Sequence, residues 1–340
     1  MSVRLDFEHG LKPDAHKWLY EAKDKVYKLQ PPKWPFLVEE IPEKEIVGGF
    51  YKSTSAIGAD VLIVREDEQQ AAVDSPKDGY PVFGRIKTAS LKVSAPREVQ
   101  RDLKHRVANW IKDYVAVHWA TAIENTKEML ITEFIEKGGY TAGDDIYNQN
   151  NAVINLTTYT SPKLQYDGKP VFNLLGNERT AINAATYYNG LTYGSGALAE
   201  VTGVTSVLTG AMKNLLITNG KRENGTPFDN IRDLVIVCHQ TQEDNWNNIN
   251  TADKNPDNFS NTPNPYKGIF RRVIGLPRLT NSDLSVMMSA GKGIVAKFFE
   301  PKINFWEEND PKKFWASVDL DYVLTMKNFR PLVAVNAATS

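Results

Sequence analysis

The chain has 340 residues, enough for about two domains. Its 41% hydrophobic and 24% charged content can support a buried core, so bulk disorder is excluded. Forty Lys and Arg nearly balance 41 Asp and Glu, which excludes a strongly basic nucleic-acid binder. The single cysteine, Cys238, excludes an intrachain disulfide, and the first residues, MSVRLDFEHGLKP, lack the apolar stretch of a signal peptide. No apolar run approaches the roughly 18 residues that span a bilayer. These features point to a soluble chain made in a reducing cytoplasm, with no internal repeat.

Residues 13–29 are expected to be helical. Pro13 suits a first helical position, Ala15, Trp18, Leu19, Ala22, Val26 and Leu29 share one stripe, and Pro31 and Pro32 end the pattern. With the proline-rich segment that follows, residues 1–50 read as an extended arm carrying a short helix. Residues 58–93 read as a long hairpin with a polar tip around Asp74-Ser75-Pro76 and Asp78-Gly79. A lone hairpin is marginal in water, so it needs a surface to lie on.

Residues 95–137 predict one helix of about 40 residues, roughly 60 Å long at 1.5 Å per residue. Ser94 serves as its N-cap, Pro96 stands in its first turn, and Gly138-Gly139 end it. Its apolar face is expected at Val99, Leu103, Val107, Trp110, Ile111, Tyr114, Val117, Ala120, Ile123, Met129, Leu130 and Phe134. Strict heptads are not kept, which counts against a coiled coil.

Further on, residues 161–180 (SPKLQYDGKPVFNLLGNERT) carry a strand–turn–strand signal around Asp167-Gly168-Lys169-Pro170. Residues 195–218 predict a second helix, 233–240 a buried strand, 242–249 a short helix or turn, and 250–267 an exposed loop. GIFRRVIGLPRL reads as a strand. Residues 292–329 form a second long hairpin turning at Asn309-Asp310-Pro311, and PLVAVN is a last strand. Strands follow helices irregularly, so the class is α+β.

Catalytic constellations do not assemble. Gly291-Lys292-Gly293 lacks the spacing of a phosphate loop. His105 and His118 are too far apart for a helical metal pair, and the acidic run at Asp144-Asp145 reads as a solvated turn. Cys238 and His239 are strand neighbours pointing to opposite faces, so they do not meet as nucleophile and base. No cofactor, metal or enzymatic activity is expected.

The order of parts resembles the major capsid proteins of tailed bacteriophages, the Hong Kong 97-type fold. The likeness rests on residues 166–177, on DLVIVCHQTQEDNW (233–246), on NPYKGIFRRVIGLPRL (264–279), and on C-terminal strands with a Mu-type flavour. It implies an N-terminal arm (1–54), an E-loop hairpin (55–94), a peripheral domain with the spine helix (95–190) and an axial domain (191–292). A peripheral-domain hairpin (293–328) and an axial C-terminal strand (329–340) complete it. Ser94-Ala95-Pro96 would be the hinge between hairpin and helix.

The resemblance further implies a self-assembling shell of pentamers and hexamers around double-stranded DNA, located in the virion and made in the host cytoplasm. Expected partners are other copies, a separate scaffolding protein, a portal and a decoration protein, with weak nonspecific DNA contact and no membrane. Lysines of the arm, including Lys12, Lys17, Lys23, Lys25 and Lys28, would face inward or simply solvate a helix. The hairpin begins too early to leave room for a cleaved scaffolding segment, so an unprocessed N-terminus is expected. Intersubunit contacts fall to Lys77 and Asp78 at the first tip, Asn309 and Asp310 at the second, and Trp246. A Lys77–Asn309 isopeptide crosslink is the only one the sequence nominates, and solvated tips are preferred to it. The rival readings are an encapsulin-type compartment shell and a cytoplasmic cysteine hydrolase using Cys238.

Overall fold

The computed structural model describes residues 2–29, 31–54, 81–95, 106–136, 171–176, 178–180, 186–194, 198, 203–220, 233–257, 262–309 and 312–336. The chain divides into two compact units. The first comprises Met1–Trp34, Ile86–Leu130 and Lys297–Val323, and the second Pro35–Arg85, Ile131–Ala296 and Leu324–Ser340.

The first unit opens with helix α1, Ser2–Leu29. It is longer than the spacing predicted, and Pro13 stands inside it rather than at its start. Ala15, Leu19 and Ala22 are buried and Trp18 and Val26 half-buried, so the expected stripe is real, but Leu29 is 82% exposed and lies off it.

The sheet of this unit centres on β14 (Lys312–Met326). Strand β13 (Lys302–Asn309) pairs antiparallel with it from Lys302↔Asp319 to Asn309↔Lys312, which is the expected second hairpin. Strand β5 (Lys87–Ser94) also pairs antiparallel with β14, from Trp315↔Ser94 to Tyr322↔Lys87. Alternation sends Ile303, Phe305, Phe314, Ala316, Val318 and Leu320 to one face, where Phe305 and Phe314 stack at 5.9 Å. Each large apolar side chain buried there is worth about 1.5–3 kcal/mol.

The long helix is confirmed over its described length, with an internal defect. Helix α2 (Arg106–Trp110) leads into a π-helical turn (Ile111–Val115) and then α3 (Ala116–Glu136). Ser94 is the last residue of β5, and the expected start of the helix at Pro96 and its end at Gly138-Gly139 lie outside the described residues. The buried positions Ile111, Val115, Trp119, Ile123, Lys127, Ile131 and Ile135 recur every fourth residue. The π-turn accommodates one such step, and the stripe then winds around α3 because four residues overshoot a 3.6-residue turn. Tyr114, Val117 and Met129, expected inside, are therefore 71%, 44% and 43% exposed. Within α3, residues to Leu130 belong to the first unit and the remainder to the second.

The second unit is built on a five-stranded sheet in the order β10-β9-β11-β15-β8. These strands are β8 (Gly190–Leu191), β9 (Leu234–His239), β10 (Phe270–Leu276), β11 (Ser285–Ser289) and β15 (Leu332–Val335). Parallel and antiparallel pairs mix, as the α+β reading requires. Strand β11 escaped the sequence reading because all five of its residues are buried, so it shows no alternation.

Helix α4 (Ser206–Asn219) covers this core with Leu208, Met212, Leu215 and Leu216. It starts later than predicted, at Thr205, whose Oγ1 accepts the Leu208 N–H at 3.1 Å. Thr205→Ala is expected to cost about 1 kcal/mol, read as a lower denaturation midpoint. Helix α5 (Glu243–Thr251) matches the expected short helix, while the loop after it holds a buried Asn264 and its residues 258–261 lie outside the described residues.

Two local readings are corrected. The first hairpin's described strands are β3 (Phe50–Thr54) and β4 (Pro81–Arg85), paired from Phe50↔Arg85 to Thr54↔Pro81, while 55–80 lies outside the described residues. Its return strand breaks at Ile86, after which β5 joins β14 instead. Val171–Gly176 is bend and turn, not strand, and Asp167–Pro170 lies outside the described residues.

Candidate functional site

The first unit holds a polar node where the four-residue stripe of α3 demands an apolar side chain. Lys127 is only 5% exposed. Its Nζ donates to Glu124 Oε1 at 2.8 Å, one turn back on the same helix. Tyr27 Oη, in the last turn of α1, donates to Glu124 Oε1 at 2.9 Å, and Trp34 Nε1 donates to Oε2 at 3.1 Å. The carboxylate therefore accepts three bonds, and the ammonium lies 5.1 Å from the Trp34 ring centre and 5.5 Å from that of Phe298. Those two rings meet edge to face at 5.2 Å.

Burial pushes the Lys127 ammonium below its ordinary value, against the pull of Glu124, and Lys23 adds to the depression. Burial, with Glu124 beside it, raises the Tyr27 phenol. Next to the node a cleft of about 130 Å³ is lined by Leu19, Tyr20, Lys23, Ile123, Lys127 and Phe298, among others. Tyr20 Oη donates to Glu300 at 2.6 Å, which raises its own pKa to about 12. Chemically this is a clasp. One carboxylate ties the end of α1 and the Trp34 turn to α3, and the ring faces stabilise the cation that balances it.

The sequence missed this clasp. Lys127 was legible only as a charge at the every-fourth-residue position, and Tyr27 and Trp34 only as aromatics flanking Pro31-Pro32.

The predicted contact residues fare differently. Lys77, Asp78 and Asp310 lie outside the described residues, and Asn309 ends β13 opposite Lys312. Trp246 is corrected. It is fully buried, its indole N–H donates to Ser285 Oγ at 3.1 Å, and its ring meets Phe270 edge to face at 5.7 Å. Trp246 and Ile249 are the apolar residues of α5 and turn together into the second unit's core, so Trp246 is no surface contact.

Cys238 is likewise fully buried, within 3.9 Å of the Ile274 carbonyl. His239 instead accepts the Thr241 N–H at 3.2 Å through Nδ1. The burial of that thiol counts against the hydrolase reading. Among the described residues no group of His, Cys, Asp or Glu is arranged to hold a metal, and no helix is long and apolar enough to cross a membrane.

No family model and no curated protein matches the chain. Solved structures do. The capsid of Cyanophage P-SCSP1u aligns with a TM-score of 0.52 at 10% identity, over 91% of this chain and 89% of that one. A structure from Mycobacterium phage Patience gives 0.51 at 9% identity, over 96% and 88%. A virus-like particle from Pyrococcus furiosus gives 0.45 at 11% identity over 94% and 98%, too distant to carry weight. None of these bears out the Mu-type flavour of the C-terminal strands. With the sheets, long helix and hairpins described above, the likeness over nearly the whole chain shows that this protein has the Hong Kong 97-type fold of phage capsid proteins.

Proposed function

We propose that the chain is the repeating subunit of a closed shell, a major capsid protein that assembles with itself into pentamers and hexamers around double-stranded DNA. The observation that carries this is the capsid-type fold matched over 91% and 96% of the chain, with no large part left over for another activity. In this reading the first unit is the peripheral domain and the second holds the axial domain. The near-neutral charge suits weak, nonspecific contact with DNA. The protein acts as no enzyme, resides in the virion, and works with a scaffolding protein, a portal and a decoration protein. Lys77, Asp78, Asn309 and Asp310 remain its proposed hairpin-tip contacts.

Electron microscopy of the purified chain tests the reading. Uniform shells tens of nanometres across are the expected result, and a monodisperse small protein at high concentration would refute it. Nuclease-protected DNA inside particles from infected cells is expected. Shells that hold a protein cargo and no DNA would replace the phage reading with the compartment reading.

A further inference from the structure

Strand β13 is an open edge. It pairs with β14 without a register shift over its whole length, and among the described residues nothing pairs with its other side. No proline interrupts its outer edge and no bulge twists it away. Such an edge is a template for another strand.

The residues along it are complementary to themselves. On the solvent face stand Lys302 and Asn304, both exposed, and Trp306, half-buried. On the core face stand Ile303 and Phe305, 4% and 6% exposed. An antiparallel pairing of two β13 strands centred on Asn304 sets Lys302 opposite Trp306 of the partner copy, twice. It sets Ile303 opposite Phe305 of the partner copy, twice, and Asn304 opposite itself. Directly opposed residues share a face, so each core face meets core face and each outer face meets outer face. The cation then meets the electron-rich face of an indole. This sheet already shows that preference within one chain: Lys92 Nζ lies 4.7 Å from the Trp306 ring centre and 3.8 Å from that of Trp315, and the two indoles stack at 6.4 Å.

Lys302 is available for the exchange. It pairs with Asp321 at 2.6 Å, but its own side chain is 69% exposed and can turn to a partner copy while Thr88 still donates to the Asp321 carboxylate. A two-fold axis perpendicular to the sheet also keeps both core faces on the same side. A shell requires that of neighbouring subunits, and a face-to-face contact would break it.

We infer that β13 is a self-pairing edge: two copies of this chain join through antiparallel β13 strands in the register centred on Asn304. This deepens the shell reading by naming one contact and its occupant, a second copy.

The test is a single cysteine. Asn304→Cys places two thiols across the axis, and the native Cys238 is fully buried and cannot compete. Under mild oxidation the full-length variant is expected to run as a covalent dimer on a non-reducing gel, with no higher ladder. Lys92→Cys, on the outer strand β5 at the other side of the sheet, is expected to stay monomeric. Asn304→Lys, which puts like charges opposite each other, is expected to abolish the contact, whereas Asn304→Ser keeps it. Circular dichroism matching the wild type shows that each variant folds. Well-formed shells in which Asn304→Cys does not crosslink would overturn this inference and leave the shell reading standing. Crosslinking through Lys92→Cys instead would assign the contact to β5 and also overturn it. A wild-type chain that forms no shell would overturn the shell reading alone, because the crosslink is read on dimers in solution as well.

Discussion

Replacing Glu124 by alanine is expected to lower the stability of the folded chain by about 3–5 kcal/mol, the usual consequence of removing one member of a buried ion pair. The size follows from what is left behind. Lys127 would keep its charge at 5% exposure without its carboxylate, and the Tyr27 hydroxyl and Trp34 indole N–H would lose their acceptor. The opposite truncation is milder. Lys127→Met leaves Glu124 accepting from Tyr27 and Trp34 and sets an apolar chain of similar length against Trp34 and Phe298. Its expected cost is smaller, about 1–3 kcal/mol, because Glu124 loses its counter-ion but keeps two hydrogen-bond donors. Denaturant midpoints for the two variants check this asymmetry, and equal losses would contradict it.

The same node has a pH signature. The folded state holds the Lys127 pKa below its ordinary 10.5, so between those two values the unfolded chain binds more protons than the folded one. Stability contributed by this group therefore rises with pH across that alkaline window, and the cost of burying the charge is fully present below it. In Lys127→Met this component is expected to vanish. An unchanged difference profile against wild type from neutral to alkaline pH would count against the assignment.

Gly293→Ala is the second large effect, expected to cost about 3–5 kcal/mol from two sources, backbone strain and overpacking. Gly293 sits at φ +92°, outside the region open to residues with a Cβ. A Cβ there would lie 2.7 Å from the Asn328 carbonyl oxygen and 2.9 Å from a Leu332 methyl carbon. The first neighbour is backbone and cannot step aside. The Gly293 carbonyl also accepts the Lys327 and Asn328 N–H groups at 2.8 and 3.2 Å, so a shift would loosen the turn that leads into β15. Thermal unfolding compared with Gly48→Ala reads the steric part. Gly48 shares a positive φ (+62°) but has open space around it, so its loss should be smaller.

How far these features were legible in the sequence depends on the range of the interactions that make them. The stripe of α1, the run LVIVCH of β9, the antiparallel hairpin that brings Asn309 opposite Lys312 and the long helix over 106–136 all rest on local periodicity or turn chemistry, and all could be read directly. The order of these parts was enough to suggest a capsid-type fold. The errors lie where a distant partner decides. Trp246 is flanked by Asn and acidic residues and looked exposed, but Ser285 and Phe270 close over it. Strand β11 carries no alternation because both of its faces are covered. The return strand of the first hairpin breaks at Ile86 because β14 offers its second half a better edge.

By itself, then, the sequence determined the helices, most of the strands and their order, because side-chain spacing and turn residues act over a few positions. Only the tertiary structure decided that a lysine would stand in the buried stripe of α3, clasped through Glu124 to Tyr27 and Trp34. Only it showed that β13 keeps one edge open among the described residues. Burial and edge pairing are set by residues scores of positions away, and no local pattern records them.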